Sequence, residues 1–549
     1  MTTLPCVDDC VLVNASLYTA DAPALRQTAL VLREGRIAYV GDDATARAGS
    51  RPGSRVIDLG GRTVTPGFID SHVHPIDGFL LSGDCDLAGV DTPEAIFAGL
   101  RAAAANSVDG AKGAASGWLL AGNANLQLFG AYPTREMLDA VVPHRPLLVI
   151  GHDVHSGWLN TLGMKVAGIT AATPDPAGGK YERDGLTGEA TGIVHEAALY
   201  KLFSLLPQLA SDNVPQALAK AQALAHGFGI TGWFDALVGE RLLHGYVMAR
   251  EEGALAVQAS LGLLASPHAP LGPQIERFRR WRASYDGGNL RLHTVKIFID
   301  GVLESRTAAL LEPYADAGGL GMHHWEPGQL NEVAELADRA GFDLHFHTLG
   351  DRAVRMALDA IEHVVRANGA RDRRPQLAHV QLIHPDDVIR FRRLGAIANI
   401  QAAWGGAPPY LLDLYRQMLG DARMARNYVF RSLRNAGALL SGGSDWSVST
   451  MNPLVAIQTA MTRMPPGQPG CAAWLPHESV ELPTMLEAYT RNAAWGLRFD
   501  ARAGVLAAGR DASLAILDRD LFATPVAEIA SARVQTTLFC GRVVHGALE

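Results

Sequence analysis

Thr63-Val-Thr-Pro-Gly-Phe-Ile-Asp-Ser-His-Val-His-Pro75 carries a run of β-formers into two histidines spaced by two. On a strand that spacing puts both imidazoles on one face. Two neutral imidazoles so placed can hold one divalent ion at the strand end. Two ordinary strand histidines would also read His-x-His. The pair gains weight because Lys296, His347, His379 and Asp445, all of metal-ligand type, stand downstream on or at the ends of predicted strands of their own.

Those strands set the fold class. After the strand ending at His74, β-rich runs appear at 229–235, 256–264, 292–300, 343–347, 375–381, 396–401 and 438–445. Helical stretches such as 331–340, 352–367 and 386–393 lie between them. Strands alternating with helices in this number predict an α/β fold, a (β/α)₈ barrel of the TIM type. A doubly wound open sheet is the runner-up, but no Gly-rich phosphate turn follows the first strand.

Working outward, roughly 150 residues separate the first and second strands, far more than a βα loop and its helix need. This insertion, over 83–225, holds Trp118, His155, Trp158 and Glu196 and is expected to form a lid at the ligand-facing end. Residues 1–62 alternate apolar and polar positions in short runs, with a hairpin signal at Glu34-Gly35, and the same texture returns over 496–549. Both termini are therefore expected to build one small β-sandwich domain beside a barrel spanning 63–495.

Composition narrows the function. The chain has 549 residues, 48% of them hydrophobic and 19% charged, which describes a well-buried globular protein of more than one domain. A formal charge of −8 without a dense Lys/Arg run argues against nucleic acid as a partner. Five scattered cysteines (Cys6, Cys10, Cys85, Cys471, Cys540) without C-x-x-C spacing argue against a disulfide framework or a zinc ribbon. The N-terminus lacks a signal-peptide pattern and no run reaches a membrane span, so a cytoplasmic setting away from membranes is expected.

In a barrel, strand ends converge on one mouth. Each candidate has a plain alternative: a hydrogen-bonded core histidine, or an Asp that caps a helix. Lys296, in Thr-Val-Lys-Ile-Phe-Ile, is the most telling, because a buried lysine needs a partner or must lose its charge. A metal pair bridged by its carbamate would supply that partner; a salt bridge, or an unmodified lysine beside one metal, would also. His345 points the same way as His347 but lies deeper, so His347 is assigned to the metal and His345 to packing.

At this point the chain resembles the amidohydrolase superfamily, in the YtcJ-like branch that includes N-substituted formamide deformylase. The resemblance runs through Pro66-Gly-Phe-Ile-Asp-Ser-His-Val-His-Pro75, His155-Ser-Gly-Trp-Leu-Asn160, Pro174-Asp-Pro-Ala-Gly-Gly179 and Gly188-Glu-Ala-Thr-Gly-Ile-Val-His-Glu196. It continues through Lys296-Ile-Phe-Ile-Asp-Gly301, His347-Thr-Leu-Gly-Asp-Arg-Ala353, His379-Val-Gln-Leu-Ile-His-Pro-Asp-Asp387, Gly443-Ser-Asp-Trp446 and Gly509-Arg-Asp-Ala-Ser-Leu-Ala515. It implies His72, His74, Lys296, His347, His379 and Asp445 as metal-site residues, with Lys296 carboxylated between two zinc ions. Two segments depart from the branch: Leu120-Ala-Gly-Asn-Ala-Asn-Leu-Gln127 stands where relatives carry Gly-Arg-Gly-Trp-Asp, and Gln401-Ala-Ala-Trp404 where they carry Gln-Pro-x-His. Both fall where substrate would be read.

The expected activity is hydrolysis of a C–N bond in a small, largely apolar amide, N-substituted formamide or cyclic amide, by hydroxide generated at the metal. Asp445 would move the proton, and His379 would ligate the second ion or polarise the carbonyl. Trp118, His155, Trp158, Glu196, Asp300 and Trp404 are candidates for touching substrate, and a homodimer is the assembly expected. The competing readings are a single-metal hydrolytic deaminase and a barrel without chemistry serving as a binding or regulatory protein.

Overall fold

The computed structural model describes residues 9–21, 27–106, 117–130, 133–468 and 470–548. Cys6 and the N-terminal stretch over 1–8 lie outside the described residues. Eight parallel strands form one sheet in chain order: β1 (Phe68–Val73), β2 (Ile230–Val238), β3 (Gln258–Leu264), β4 (Leu290–Phe298), β5 (Asp343–Thr348), β6 (Gln376–His379), β7 (Ile397–Ile400) and β8 (Leu439–Gly442). This is the expected (β/α)₈ barrel. Every residue of β1 and β5 is buried, as strands must be when helices cover one face and packed side chains fill the other. The covering helices are amphipathic; Asp351–Asn368 buries Val354, Ala357, Leu358, Ile361 and Val364 at helical spacing.

β8 and β1 meet through side chains and a loop amide. Ser71 Oγ donates to the Gly442 carbonyl at 2.7 Å, and Asn399 Nδ2 to the Ser71 carbonyl at 2.7 Å. The Asp445 N–H then donates to the His72 carbonyl at 2.8 Å, which ties the last strand's loop to the His-x-His pair at the end of the first strand.

The run expected to form one strand into His74 splits at Gly67. Thr63–Pro66 belongs to a five-stranded sheet with Ser16–Leu17, Leu514–Leu517, Val534–Phe539 and Arg542–Gly546. A Cβ at Gly67 would stand 2.1 Å from Thr231 Oγ1, so only glycine lets the chain cross to the barrel here. A second sheet orders Arg36–Gly41, Ala29–Arg33, Cys10–Val13 and Arg55–Asp58. Leu12, Leu30, Leu32 and Ile37 of this sheet share one core with Val64, Leu514, Ile516 and Leu538 of the other. The hairpin turn falls at Glu34-Gly35, both with positive φ (50° and 74°). At the other boundary Leu497, Phe499 and Ala503 pack against Ile69 and Phe234 of the barrel, so the barrel core reaches past residue 496.

The insertion is a folded layer. Its six-stranded sheet orders Gly179–Arg183, Ala190–Glu196, Ser156–Leu159, Leu147–Gly151, Leu119–Ala124 and Cys85–Asp86. Leu100, Leu119, Val149, Trp158 and Ile193 form its own core. Among the described residues, no helix is long and apolar enough to cross a membrane.

Candidate metal centre

The barrel mouth collects the predicted ligands. His72 lies on β1 and His74 one residue beyond it; Lys296 lies on β4, His347 on β5, His379 ends β6 and Asp445 follows β8. Asp445 Oδ1 stands 3.1 Å from His74 Nε2 and 3.4 Å from His72 Nε2. One ligand atom from each of these three lies within 4.8 Å of the others, close enough for a shared ion. The His347 ring packs 4.5 Å from the His379 ring, which in turn lies 4.8 Å from His72. His379 and Asp445 both adopt left-handed backbone (φ 76° and 54°), strain that clusters where side chains are aimed at a site.

The electrostatics suit a cation. Burial holds the imidazoles of His72 and His347 well below their ordinary pKa, and brings His379 to about 3, so all three are neutral, as ligands must be. His72 Nε2 faces Asp445 Oδ1 at 3.4 Å and His347 Nδ1 faces Asp300 Oδ1 at 3.5 Å, neither in full hydrogen-bonding geometry, and Gln401 is the polar side chain that reaches the buried His379 ring. The Gln401 amide also donates to Asn399 Oδ1 at 3.1 Å. Each neutral ring keeps one lone pair, and imidazoles this loosely engaged around one point fit a metal that would use it. Burial pushes the Lys296 amine down to about 7 against the pull of Asp445. Burial pushes the Asp445 carboxyl up, but the hydrogen bond with His74 and the neighbouring His379 and Lys296 outweigh it and hold it below the usual carboxylate range.

Around the ligands stands a set of supports that motif reading undervalued. His345 shares a 2.9 Å hydrogen bond between its Nε2 and His72 Nδ1, so it is a polar prop that fixes the His72 ring as well as a packing group. The first histidine of Leu344-His-Phe-His347 is its signal. Asp70 accepts the His72 and Ser444 N–H groups at 3.2 and 2.9 Å and carries no sequence signal beyond its place in the motif.

The candidates for substrate contact divide. His155 lines the cavity at the mouth. Its Nδ1 donates to Glu196 Oε2 at 2.9 Å, and Glu196 also accepts from Thr307 Oγ1 at 2.8 Å. Burial pushes His155 down, but Glu196 outweighs it and raises the imidazole to about 9, a cation at neutral pH. Glu196 is wholly buried behind it and acts through His155. Trp404 stacks on His379, with ring centres 5.4 Å apart and planes within 7°.

Three expectations are corrected. Trp158 is buried in the core of the insertion against Phe97 and Phe129, with its Nε1 donating to the Thr134 carbonyl at 3.0 Å. Trp118 is 2% exposed and packs in the apolar core outside the cavity walls. Asp300 accepts the N–H groups of Ala309, Leu349 and Gly350 at 2.8 to 3.1 Å, a fully buried clamp behind His347. Placement in an insertion read as a lid points both tryptophans toward substrate, but side chains of this size also fill the core of a folded insertion.

The cavity at the mouth has a volume of about 380 Å³. Leu81, Phe203, Leu237, Leu264 and Trp325 give it an apolar wall, and His74, Lys296, His347 and Asp445 stand at its reactive end.

The family model for the amidohydrolase family matches residues 55–545. The chain belongs to the amidohydrolase family. This amidohydrolase is therefore a hydrolase acting on carbon–nitrogen bonds other than peptide bonds, and the resemblance read from its motifs is borne out. It is 32% identical to Protein LONG AFTER FAR-RED 3 of Arabidopsis thaliana, over 93% of this chain and 87% of that one. It is 27% identical to the N-substituted formamide deformylase of Arthrobacter pascens, over 97% of each chain. A metal-dependent hydrolase of Pyrococcus furiosus superposes with a TM-score of 0.71 at 26% identity, covering 93% of this chain and 99% of that structure.

Proposed function

We propose that this amidohydrolase cleaves the C–N bond of a small, largely apolar amide, N-substituted formamide or cyclic amide. The observation that carries the reading is Asp445: an ionised carboxylate 3.1 and 3.4 Å from two imidazole nitrogens, at the wall of an apolar chamber of about 380 Å³. His72, His74 and Asp445 would hold one divalent ion, and Lys296, His347 and His379 a second. Lys296 would contribute to this centre as its carbamate, an anionic oxygen donor; an amine brought to about 7 is substantially unprotonated, the form that adds CO₂. Zinc in this site supplies acidity, lowering the pKa of water from ~15.7 to ~7 and polarising a carbonyl.

The chain's own groups do the rest. Asp445 accepts the proton of the attacking water and passes it to the departing amine. The cationic His155, with its Nδ1 engaged by Glu196, offers its remaining N–H to the carbonyl oxygen as negative charge develops there. Leu81, Phe203 and Leu237 bind the apolar part of the substrate and exclude water. Free thiols at Cys10, Cys85, Cys471 and Cys540 support a reducing, cytoplasmic setting.

The test removes metal with chelator, restores Zn²⁺ and assays a panel of amides and formamides. Activity should vanish and return; undiminished turnover by fully stripped protein would end the reading. A single-metal deaminase would use the same tight trio of His72, His74 and Asp445. Finding two metals per chain together with the mass of one added CO₂ on Lys296 would exclude it.

A further inference from the structure

The centre opens into two cavities. Beside the apolar chamber lies another of about 190 Å³, and His155, His347 and Asp445 stand in the wall common to both. Its lining differs in character: Glu304, Gln381, Tyr415 and Tyr428 converge on it. Gln381 is 1% exposed; its side-chain amide reaches the Tyr415 hydroxyl, but no described group meets its Nε2 in full hydrogen-bonding geometry, and an NH₂ with two donors keeps one for the cavity. Two consecutive left-handed residues, His379 and Val380 (φ 76° and 44°), turn the chain out of β6 just before Gln381, and the Tyr428 N–H anchors the Gln381 carbonyl at 2.8 Å. The Tyr415 hydroxyl donates to Glu304, which leaves oxygen lone pairs on both for a ligand. Asp153, also in the lining, is already engaged, accepting from the N–H groups of His155 and Ser156 and from Ser156 Oγ.

A buried wall that holds one unspent N–H beside spare oxygen acceptors selects its occupant. An alkyl group would leave Gln381 unpaired. A carboxylate would lie against Glu304, and an ammonium, although drawn to Glu304, has no lone pair to accept the Gln381 N–H. We propose that this second cavity binds a neutral substrate group that both gives and accepts hydrogen bonds, an alcohol or a primary carboxamide, on the far side of the scissile bond from the apolar group. The assignment rests on the amide-hydrolysis reading for the placement of the scissile bond, and it names the second half of the substrate. Gln381 lies in the His379-Val-Gln motif, two positions beyond the candidate ligand His379.

The test uses the zinc-loaded full chain and four phenylacetamides that differ only beyond nitrogen: hydroxyethyl, glycinamide, propyl and glycine. Calorimetry gives affinity where an amide is stable, and kcat/KM gives preference where it is cleaved. The hydroxyethyl and glycinamide compounds should be favoured over propyl by about ten-fold, the equivalent of one satisfied buried hydrogen bond. That ratio should fall below about three-fold in Gln381→Met and, independently, in Tyr415→Phe, each checked for folding by thermal melting. Equal affinities in the unsubstituted protein, survival of the ratio in both variants, preference for the glycine acid, or no binding of any compound would overturn the assignment. Compounds that bind with the predicted ratio but are never cleaved would count against hydrolysis of this amide class and leave the cavity assignment standing.

Discussion

Glu196→Gln keeps the shape behind His155 and removes its charge. Glu196 is 0% exposed and holds His155 Nδ1 at 2.9 Å, with a second bond from Thr307 Oγ1 at 2.8 Å. Burial disfavours the charged imidazole, yet the carboxylate outweighs it and brings His155 to about 9. Against an unfolded value near 6.5, and at 1.36 kcal/mol per pH unit, the folded state gains roughly 3 kcal/mol from binding that proton. Because the folded pKa is raised, this contribution is complete below about pH 6.5 and is lost as pH rises through about 9. Glu196→Gln should therefore lower the unfolding free energy by about 2 to 3 kcal/mol near pH 6, and by far less near pH 9.5. Urea unfolding of both proteins at the two pH values, followed by tryptophan fluorescence, reads this directly. A loss of equal size at both pH values, or none near pH 6, would refute a cationic His155 held by Glu196.

Asp445→Asn should retain metal, measured by elemental analysis, while turnover falls by about 10² to 10⁴; turnover within a few-fold of the parent would remove Asp445 from proton transfer. His345→Phe keeps the ring against Phe234 but deletes the bond to His72 Nδ1, and should weaken zinc binding by about 10- to 100-fold in chelator competition. Unchanged affinity there would reduce His345 to packing. Trp158→Ala should destabilise the protein by about 3 to 5 kcal/mol in denaturant unfolding, yet leave the rank order of amide substrates intact. A reordered substrate panel would restore Trp158 to the binding site.

The barrel and the gathering of candidate ligands at its mouth are legible in the sequence because both follow local rules. Strand and helix periodicity repeats along the chain, and a His-x-His pair must share a strand face wherever the strand goes. Once strands alternate with helices in a barrel, the ends carrying Lys296, His347, His379 and Asp445 have only one mouth to meet at. Other features depend on contacts between residues far apart in the chain. Nothing local tells Trp158 that its insertion folds into a layer with its own core, or Asp300 that three amides will close around its carboxylate. The break at Gly67 is decided by Thr231, and the charge on His155 by Glu196, 41 positions away. Periodicity and backbone geometry are properties of neighbours, so sequence determined them; burial, ring orientation and pKa are properties of the packed surroundings, and only the tertiary structure decided those.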